Sequence, residues 1–121
     1  YCETNARDEY DGKYNTEKLI AYSKKHKIKF PAAEWCVAYC KNGVRPGEGF
    51  MPALKQLERI VANRGIVNPA LQRIDGVELH GWIWSSSEGT YYGTWLVRAT
   101  DGYVYHATKD DVDYVRCVLA F

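Results

Sequence analysis

The Asp101-Gly102 pair constrains the fold most, because it lies between two β-rich runs, residues 94–100 and 103–108. Asp-Gly in this position predicts a hairpin with a two-residue turn, since both central turn positions favour positive φ. A two-residue turn would also fix the strand register, with Thr100 opposite Tyr103 and the earlier residues pairing outward in step. We therefore expect an antiparallel hairpin near the C-terminus.

Alternation of side chains along these strands predicts a core face and an exposed face. The core face would carry Trp95, Val97, Ala99 and Val104. The exposed face, with the loops beside the hairpin, would bind a ligand, because Tyr and Arg dominate binding hot spots. The predicted ligand-binding residues are Tyr91, Tyr92, Thr94, Leu96, Arg98, Thr100, Tyr103, Tyr105, Ala107, Asp110, Asp111 and Asp113. The alternative is that strands favour tyrosine in any case and that another loop half covers this face.

Helices are predicted before the strands. Their starts are signalled by capping residues and by prolines suited to a first turn. The predicted starts are Asn15 or Thr16, Pro31, Pro52 and Asn68-Pro69, with Gly65 ending the third helix. Strands would follow at residues 82–84, 94–100, 103–108 and 114–121. This order predicts an α+β fold, in which two main helices pack on a small twisted antiparallel sheet.

Length and charge limit the function classes. At 121 residues the chain is expected to be one domain, residues 1–121, with its own core. A net charge of +1 gives no electrostatic reason to expect a nucleic-acid partner or an anionic membrane. The basic run at residues 24–27 is interpreted as a solvated helix end rather than an anion site. No run of about twenty apolar residues occurs, so we expect no direct membrane insertion. The chain begins with Tyr1 rather than Met, as a mature product or an excised domain would.

Four cysteines, Cys2, Cys36, Cys40 and Cys117, allow three full pairings, and the sequence does not choose among them. Free buried thiols and a metal site are the alternatives to disulfides. Because the three histidines show no metal-ligand spacing, no metal and no cofactor are expected. Disulfides are the favoured interpretation, and they would place the protein in an oxidising compartment, outside the cell or on its surface.

An ordered set of short motifs resembles the Fibrobacter major paralogous domain family, whose members are similar to C-type lectins in fold. The residues that carry the resemblance span roughly residues 11–121. They are Asp11-Gly12-Lys13, Trp35-Cys36-Val37-Ala38-Tyr39, Gly49-Phe50-Met51-Pro52-Ala53-Leu54, Trp84-Ser85-Ser86-Ser87-Glu88, Asp101-Gly102 and Tyr114-Val115-Arg116-Cys117-Val118. The chain also resembles the variable proteins of diversity-generating retroelements in gut Bacteroidetes and their phages, which diversify residues in their last strands.

The resemblance implies a C-type-lectin-like recognition or adhesion domain at a cell surface or a phage tail, with a protein or glycan ligand on a cell or phage-host surface. It makes Cys36–Cys117 the likelier disulfide, with Cys2–Cys40 as an additional bond. The calcium-dependent sugar motifs of C-type lectins, such as Glu-Pro-Asn and Trp-Asn-Asp, are absent from the sequence. Calcium-mediated sugar binding is therefore not expected.

Two other function classes remain open. Formylglycine-generating enzymes share the broad fold, and Cys36 or Cys40 beside His80 would be the thiol and base of such an enzyme. No acid–base cluster accompanies them in the sequence, so we expect no enzymatic activity. A structural pilus-tip or assembly subunit is the other alternative. Its mark would be an exposed apolar edge on the helical side, where Lys55, Glu58 and Arg59 are instead polar.

Overall fold

A computed structural model of the chain describes residues 4–41, 43–89, 93–108 and 113–119. The helices come first: α1 is Gly12–His26, α2 is Pro31–Ala38, α3 is Leu54–Ala62 and α4 is Arg64–Arg73. The strands follow: β1 is Trp82–Glu88, β2 is Gly93–Arg98 and β3 is Val104–Thr108. The predicted α+β class is confirmed, with four helices in the described part of the chain rather than two main ones.

The cap of helix α1 lies four or five residues earlier than the sequence predicts. Asp11 is the cap, and its side chain accepts a hydrogen bond from the Tyr14 N–H at 3.0 Å. The predicted caps, Asn15 and Thr16, lie inside the helix and are fully buried. Thr16 Oγ1 donates to the Gly12 carbonyl at 2.7 Å and accepts from the Met51 N–H at 3.0 Å. These residues satisfy buried backbone groups instead of ending a helix.

The later helix boundaries are confirmed only in part. Helix α2 begins at Pro31 as predicted, and α3 begins at Leu54, two residues after Pro52. The predicted break at Gly65 is wrong, because α4 begins at Arg64 and Gly65 lies within it. Pro69 also lies inside α4 rather than at its start. Helices α3 and α4 are separated by Asn63 alone, which caps both.

The sheet has the order β1-β2-β3 and is antiparallel throughout. Val97 pairs with Val104 and Leu96 with Tyr105, a register two residues away from the predicted one. The loop therefore contains four residues, 99–102, and the Arg98 N–H donates to the Tyr103 carbonyl at 2.8 Å. The two-residue hairpin turns need positive φ at the first central residue, and the type I′ turn needs it at both. Of the pair at 101–102, Gly102 alone has positive φ, at 79°.

A shift of two residues changes each cross-strand partner but keeps every side chain on its predicted face. Val97 and Ala99 are buried on the predicted core face, where Leu54, Leu57 and Val61 of α3 pack against them. Trp95 and Val104, predicted in the same core, are only partly buried.

The face of the sheet that was predicted to be exposed is partly covered. Two of the predicted ligand-binding residues on it, Leu96 and Ala107, are therefore buried rather than exposed. Leu96 and Ala107 retain only 1% and 5% of their accessible surface. They are covered because Ala33, Cys36 and Met51 pack beneath them, together with Trp84. Each face of the sheet thus has its own hydrophobic cluster.

The second half of β1 also contacts the N-terminal segment and the residues before α3. Regular pairing with β2 is interrupted between Trp84 and Glu88. There the Ser86 N–H donates to the Pro52 carbonyl at 2.9 Å, and the Glu88 N–H donates to the Ala6 carbonyl at 2.7 Å. Asn15, fully buried, is bonded to the backbone of Asp8 in both directions, through Oδ1 and Nδ2. A buried polar layer therefore fixes the chain before α1 to the sheet.

The predicted last strand is present only as two isolated bridges among the described residues. Tyr114 pairs with Ile83, and Val118 pairs with Phe50. Between these bridges, Cys117 forms a disulfide with Cys36 of α2, with Cα atoms 5.3 Å apart. This is the pairing that the family resemblance implies. Cys40 is a free, exposed thiol, contrary to its expected bond with Cys2, and Cys2 lies outside the described residues.

Candidate ligand-binding surface

Aromatic and charged side chains gather at the end of the sheet where the helices no longer cover it. Trp82 of β1 lies directly opposite Arg98 of β2, and Arg98 is hydrogen-bonded to Tyr103 across the hairpin. Tyr105 follows two residues later on the same face of β3. Tyr103 and Tyr105 are more than half exposed, at 57% and 53%. We call Trp82, Arg98, Tyr103 and Tyr105 the aromatic cluster.

The four side chains of the aromatic cluster are in mutual contact. The Arg98 guanidinium carbon lies 5.2 Å from the Trp82 ring centroid and 5.3 Å from that of Tyr103, so both rings make cation–π contacts with it. The Trp82 ring is 6.2 Å from Tyr103, nearly perpendicular, and 5.7 Å from Tyr105. These are favoured arrangements of aromatic pairs. The contacts restrict the rotamers of the cluster before any ligand arrives.

Asp101, at the hairpin tip, neutralises and orients Arg98. Its carboxylate accepts from Arg98 Nε at 2.9 Å and from Nη2 at 2.6 Å. The same carboxylate accepts from the Tyr103 N–H at 3.1 Å. The Arg98 hydrogen bond, followed by that from Tyr103, lowers the pKa of Asp101 to about 2. Because the pair is compensated, the surface offers stacking and hydrogen bonding without a strong net charge.

One nitrogen of the guanidinium, Nη1, keeps both of its N–H donors for a ligand. Two of its nitrogens, Nε and Nη2, are committed to Asp101. Within the part of the chain that the structure describes, Nη1 of Arg98 has no hydrogen-bond acceptor. A ligand stacked on Trp82 or Tyr103 can accept from this nitrogen, since both rings contact the guanidinium.

Apart from the buried Leu96 and Ala107, the predicted binding residues separate into three groups. Arg98, Tyr103 and Tyr105 are brought together in the aromatic cluster. Thr100 is exposed in the adjacent loop, whereas Thr94 is partly buried and donates to the Ser87 carbonyl at 2.7 Å. Asp113 is partly buried and lies outside the cluster's described contacts. The predicted residues Tyr91, Tyr92, Asp110 and Asp111 lie outside the described residues.

Trp82 is the member of the aromatic cluster that the sequence did not identify as a binding residue. Its strand was predicted, but the pairing of β1 with β2 was not, because no short turn connects them. Trp82 and Trp84 lie on one face of β1. Trp84 is buried against the disulfide region, while Trp82, opposite Arg98, is only partly covered. The cover that Ala33, Cys36 and Met51 give to Trp84 decides which of the two tryptophans is nearer the surface.

The residues considered for thiol chemistry are not assembled into a reactive pair. Cys36 is held in the disulfide, and the free thiol belongs to Cys40. His80 is exposed, with Nδ1 3.0 Å from the Glu78 carbonyl and its ring against Tyr114. Over the described ranges, no group of three or more His, Cys, Asp or Glu side chains is placed to hold a metal ion.

Comparison of the chain with protein-family models, with curated proteins and with solved structures gives no match. Of the helices in the described residues, none combines the length and the apolar character needed to cross a bilayer. The disulfide between Cys36 and Cys117 is compatible with a secreted or extracellular protein.

Proposed function

We propose that this protein is a non-enzymatic recognition domain that binds a protein or glycan ligand through the aromatic cluster. The observation that carries the proposal is the interlocked arrangement of Trp82, Arg98, Tyr103 and Tyr105, in which both tyrosines are exposed. Trp, Tyr and Arg are the residue types most enriched in binding hot spots. A surface whose rotamers are already fixed loses less conformational entropy when a ligand binds.

The aromatic cluster has the composition of a stacking platform with a polar rim. Flat ring faces accept the apolar side of a sugar or a proline-rich or aromatic peptide segment. Arg98 and Asp101 supply a donor and an acceptor beside the rings, at the edge where hydroxyl or amide groups would lie. Both a glycan and a protein loop satisfy these requirements, so both belong to the proposed ligand class.

The finer fold assignment is part of this proposal: a C-type-lectin-like domain, extracellular or surface-displayed. The Cys36–Cys117 bond supports it, because it ties a helix to the C-terminal segment as the resemblance implies. A retroelement-diversified hairpin is also proposed. Since Leu96 and Ala107 are buried, the diversified positions among the described strands would be those that reach the surface, namely Arg98, Thr100, Tyr103 and Tyr105.

The test removes the aromatic cluster and leaves the core intact. Wild type is first screened on glycan and surface-protein arrays, with and without chelator, to obtain a ligand. The triple variant Arg98→Ala, Tyr103→Ala, Tyr105→Ala should then lose that binding with little change in thermal stability, because these side chains are surface residues.

The matched control removes another aromatic pair, of which Trp35 is exposed and Tyr39 is partly buried. Trp35 lies on α2 and is 54% exposed, and Tyr39 follows the end of that helix. Their rings meet edge-on, with centroids 6.0 Å apart. Trp35→Ala with Tyr39→Ala should leave binding unchanged. Equal loss in the triple variant and in this control would contradict the proposal, as would unfolding of the triple variant, which would make its residues part of the core.

A structural assembly subunit is a second candidate function, and one observation favours it. Ile66, Ile74 and Val77 on and after α4 are exposed at 73%, 75% and 61%. An exposed apolar edge on the helical side is what an assembly subunit would present. Analytical ultracentrifugation over a range of concentrations tests this function: association lost in Ile66→Lys supports it, and a monomer at all concentrations contradicts it.

A further inference from the structure

The outer face of α1 lines an open groove of about 530 Å³ that contains no residue of the aromatic cluster. Thr4 and Asn5 complete its lining. The side chains that α1 contributes recur every three or four residues, which places them along one face of the helix. They are Tyr14, Glu17, Lys18, Ala21, Tyr22, Lys25 and His26.

Positive charge is concentrated on and just after this helix. Residues 13–29 contain six lysines and one glutamate, a local charge of +5 in a chain whose net charge is +1. The rest of the chain is therefore net acidic. Such an asymmetry marks a surface that attracts an anionic partner even when the net charge of the whole protein is small.

Glu17 is the one acidic side chain that α1 contributes to the groove, and among the described residues it forms no ion pair with these lysines. Across the described residues, the ion pairs involve Arg7, Lys55 and Arg98, and no lysine of α1 lies within 4.0 Å of a carboxylate. The partial negative charge at the C-terminal end of a helix accounts for Lys24 and Lys25 in the last turn. It does not account for Lys18, which lies two turns earlier in the groove.

Aromatic rings lie beside these charges. Lys18 Nζ is 5.5 Å from the Tyr14 ring centroid. The Tyr22 ring stacks on His26, with centroids 4.1 Å apart. The groove thus alternates ring faces with cationic groups, and Lys18 and Lys25 are about 10 Å apart along the helix axis. An extended ligand with ring units and repeated acidic groups matches this spacing better than a single small anion.

We propose that the α1 groove binds an acidic polysaccharide, whose carboxylate or sulfate groups pair with Lys18 and Lys25 while its sugar rings pack on Tyr14 and Tyr22. Charge-assisted hydrogen bonds from the lysines supply the attraction. The disulfide favours an oxidising, extracellular setting, in which acidic polysaccharides rather than nucleic acids are the abundant polyanions. This site does not depend on the aromatic cluster, so it goes beyond the proposed function.

Binding is measured by calorimetry with a heparin hexasaccharide and with an oligogalacturonate of equal length, which separate sulfate from carboxylate as the recognised group. Neutral maltohexaose is the uncharged control. The groove variant Lys18→Gln, Lys25→Gln should bind the preferred acidic saccharide about tenfold more weakly or worse, since each lysine near an anionic surface contributes roughly a factor of five. The variant Lys24→Gln, Lys29→Gln removes the same charge outside the groove and should bind nearly as well as wild type.

Each result supports or overturns the groove proposal. Retained saccharide binding in the triple variant of the aromatic cluster would show that the two sites are separate. Equal loss in the two lysine variants would overturn the groove, because it would indicate diffuse electrostatic attraction. Tighter binding to phosphatidylglycerol vesicles or to oligothymidylate than to either saccharide would assign the surface to a different polyanion. Failure to bind either acidic saccharide at low salt would overturn the proposal outright.

Discussion

Asp101 holds the tip of the β2–β3 hairpin through three hydrogen bonds, two from the Arg98 side chain and one from the Tyr103 N–H. The Asp-Gly pair was predicted to form the turn through its backbone conformation. Instead, the aspartate acts through its side chain, and a loop of four residues leaves room for the carboxylate to reach back to β2. The loop that results also sets the guanidinium between the Trp82 and Tyr103 rings.

The ionisation of Asp101 should make the stability of the protein depend on pH. The folded-state pKa of Asp101 is lowered from its usual value near 3.8 to about 2, chiefly by Arg98. A lowered pKa contributes stability that is present above about pH 4 and is lost as the pH falls towards 2. Asp101→Asn should therefore melt slightly below wild type at pH 6, and the difference should disappear as the pH falls through that window. Melting curves at successive pH values measure it.

The same pKa is open to direct observation. In Arg98→Gln, the carboxyl resonance of Asp101 should titrate at a higher pH than in wild type, because its first source of stabilisation is gone. An unchanged titration would mean that the Tyr103 N–H, rather than Arg98, holds the carboxylate ionised.

Strand alternation correctly placed Arg98, Tyr103 and Tyr105 on one face of the hairpin, while their role in binding stays a prediction. It failed for Leu96 and Ala107, which lie on that same face but are buried. Alternation cannot state how far along a strand a covering helix extends. That depends on the packing of α2 and of residues 50–52, which are distant in sequence.

Among the helices, the elements best predicted were those with a local signal. Pro31 fixes the start of α2, and the apolar stripe of Leu54, Leu57 and Val61 identifies α3 and its buried face. The start of α1 was misplaced because Asn15 and Thr16 are good caps in isolation but serve buried contacts here. The C-terminal strand was overestimated because its β-rich sequence meets only single partner residues.

Two helix glycines give opposite predictions for the same substitution. A Cβ at Gly12 would clash with the Met51 carbonyl and lie 2.7 Å from the Ala53 nitrogen, whereas a Cβ at Gly65 would meet nothing within 4 Å. Alanine normally stabilises a helix position relative to glycine. Gly65→Ala should therefore raise the free energy of unfolding by about 0.4–1 kcal/mol. Gly12→Ala should lower it by about 1–3 kcal/mol through overpacking.

Urea unfolding of both glycine variants measures this difference, and each serves as the control of the other. Stabilisation by both substitutions would show that α1 can move away from residues 51–53 without cost. Such a result would contradict the close packing of α1 on the segment that precedes α3.

The whole molecule is organised around a sheet covered on both faces, with one cluster formed against α3 and the other around Cys36. The buried polar layer of Asn15, Ser86 and Ser87 joins α1 to β1, since Asn15 Nδ2 lies 3.4 Å from both serine hydroxyls. In the sequence, the serine run contributed to the family resemblance and had no predicted structural role. Its partners, Asp8 and residues 51–54, lie more than thirty positions away, beyond the reach of local pattern.

The Cys36–Cys117 disulfide links helix α2 covalently to the C-terminal segment. It joins residues 81 positions apart, so it removes a large loop-closure entropy from the unfolded chain. In the chain-entropy model a loop of this length is stabilising by roughly 4 kcal/mol. The double variant Cys36→Ser, Cys117→Ser should lose about that much free energy of unfolding, measured in urea, and a reductant should not lower it further.

Cys40→Ser is the matched control for this prediction, because Cys40 is exposed and free, and its loss should leave stability unchanged. The disulfide also lies under the buried half of the sheet, beside Trp84 and Leu96, whereas the aromatic cluster is at the uncovered end. Reduction of the disulfide should therefore lower the melting temperature but leave ligand binding unchanged at temperatures where the reduced protein is still folded. Loss of binding in the folded, reduced protein would instead mean that Cys117 positions Trp82 through the packing they share.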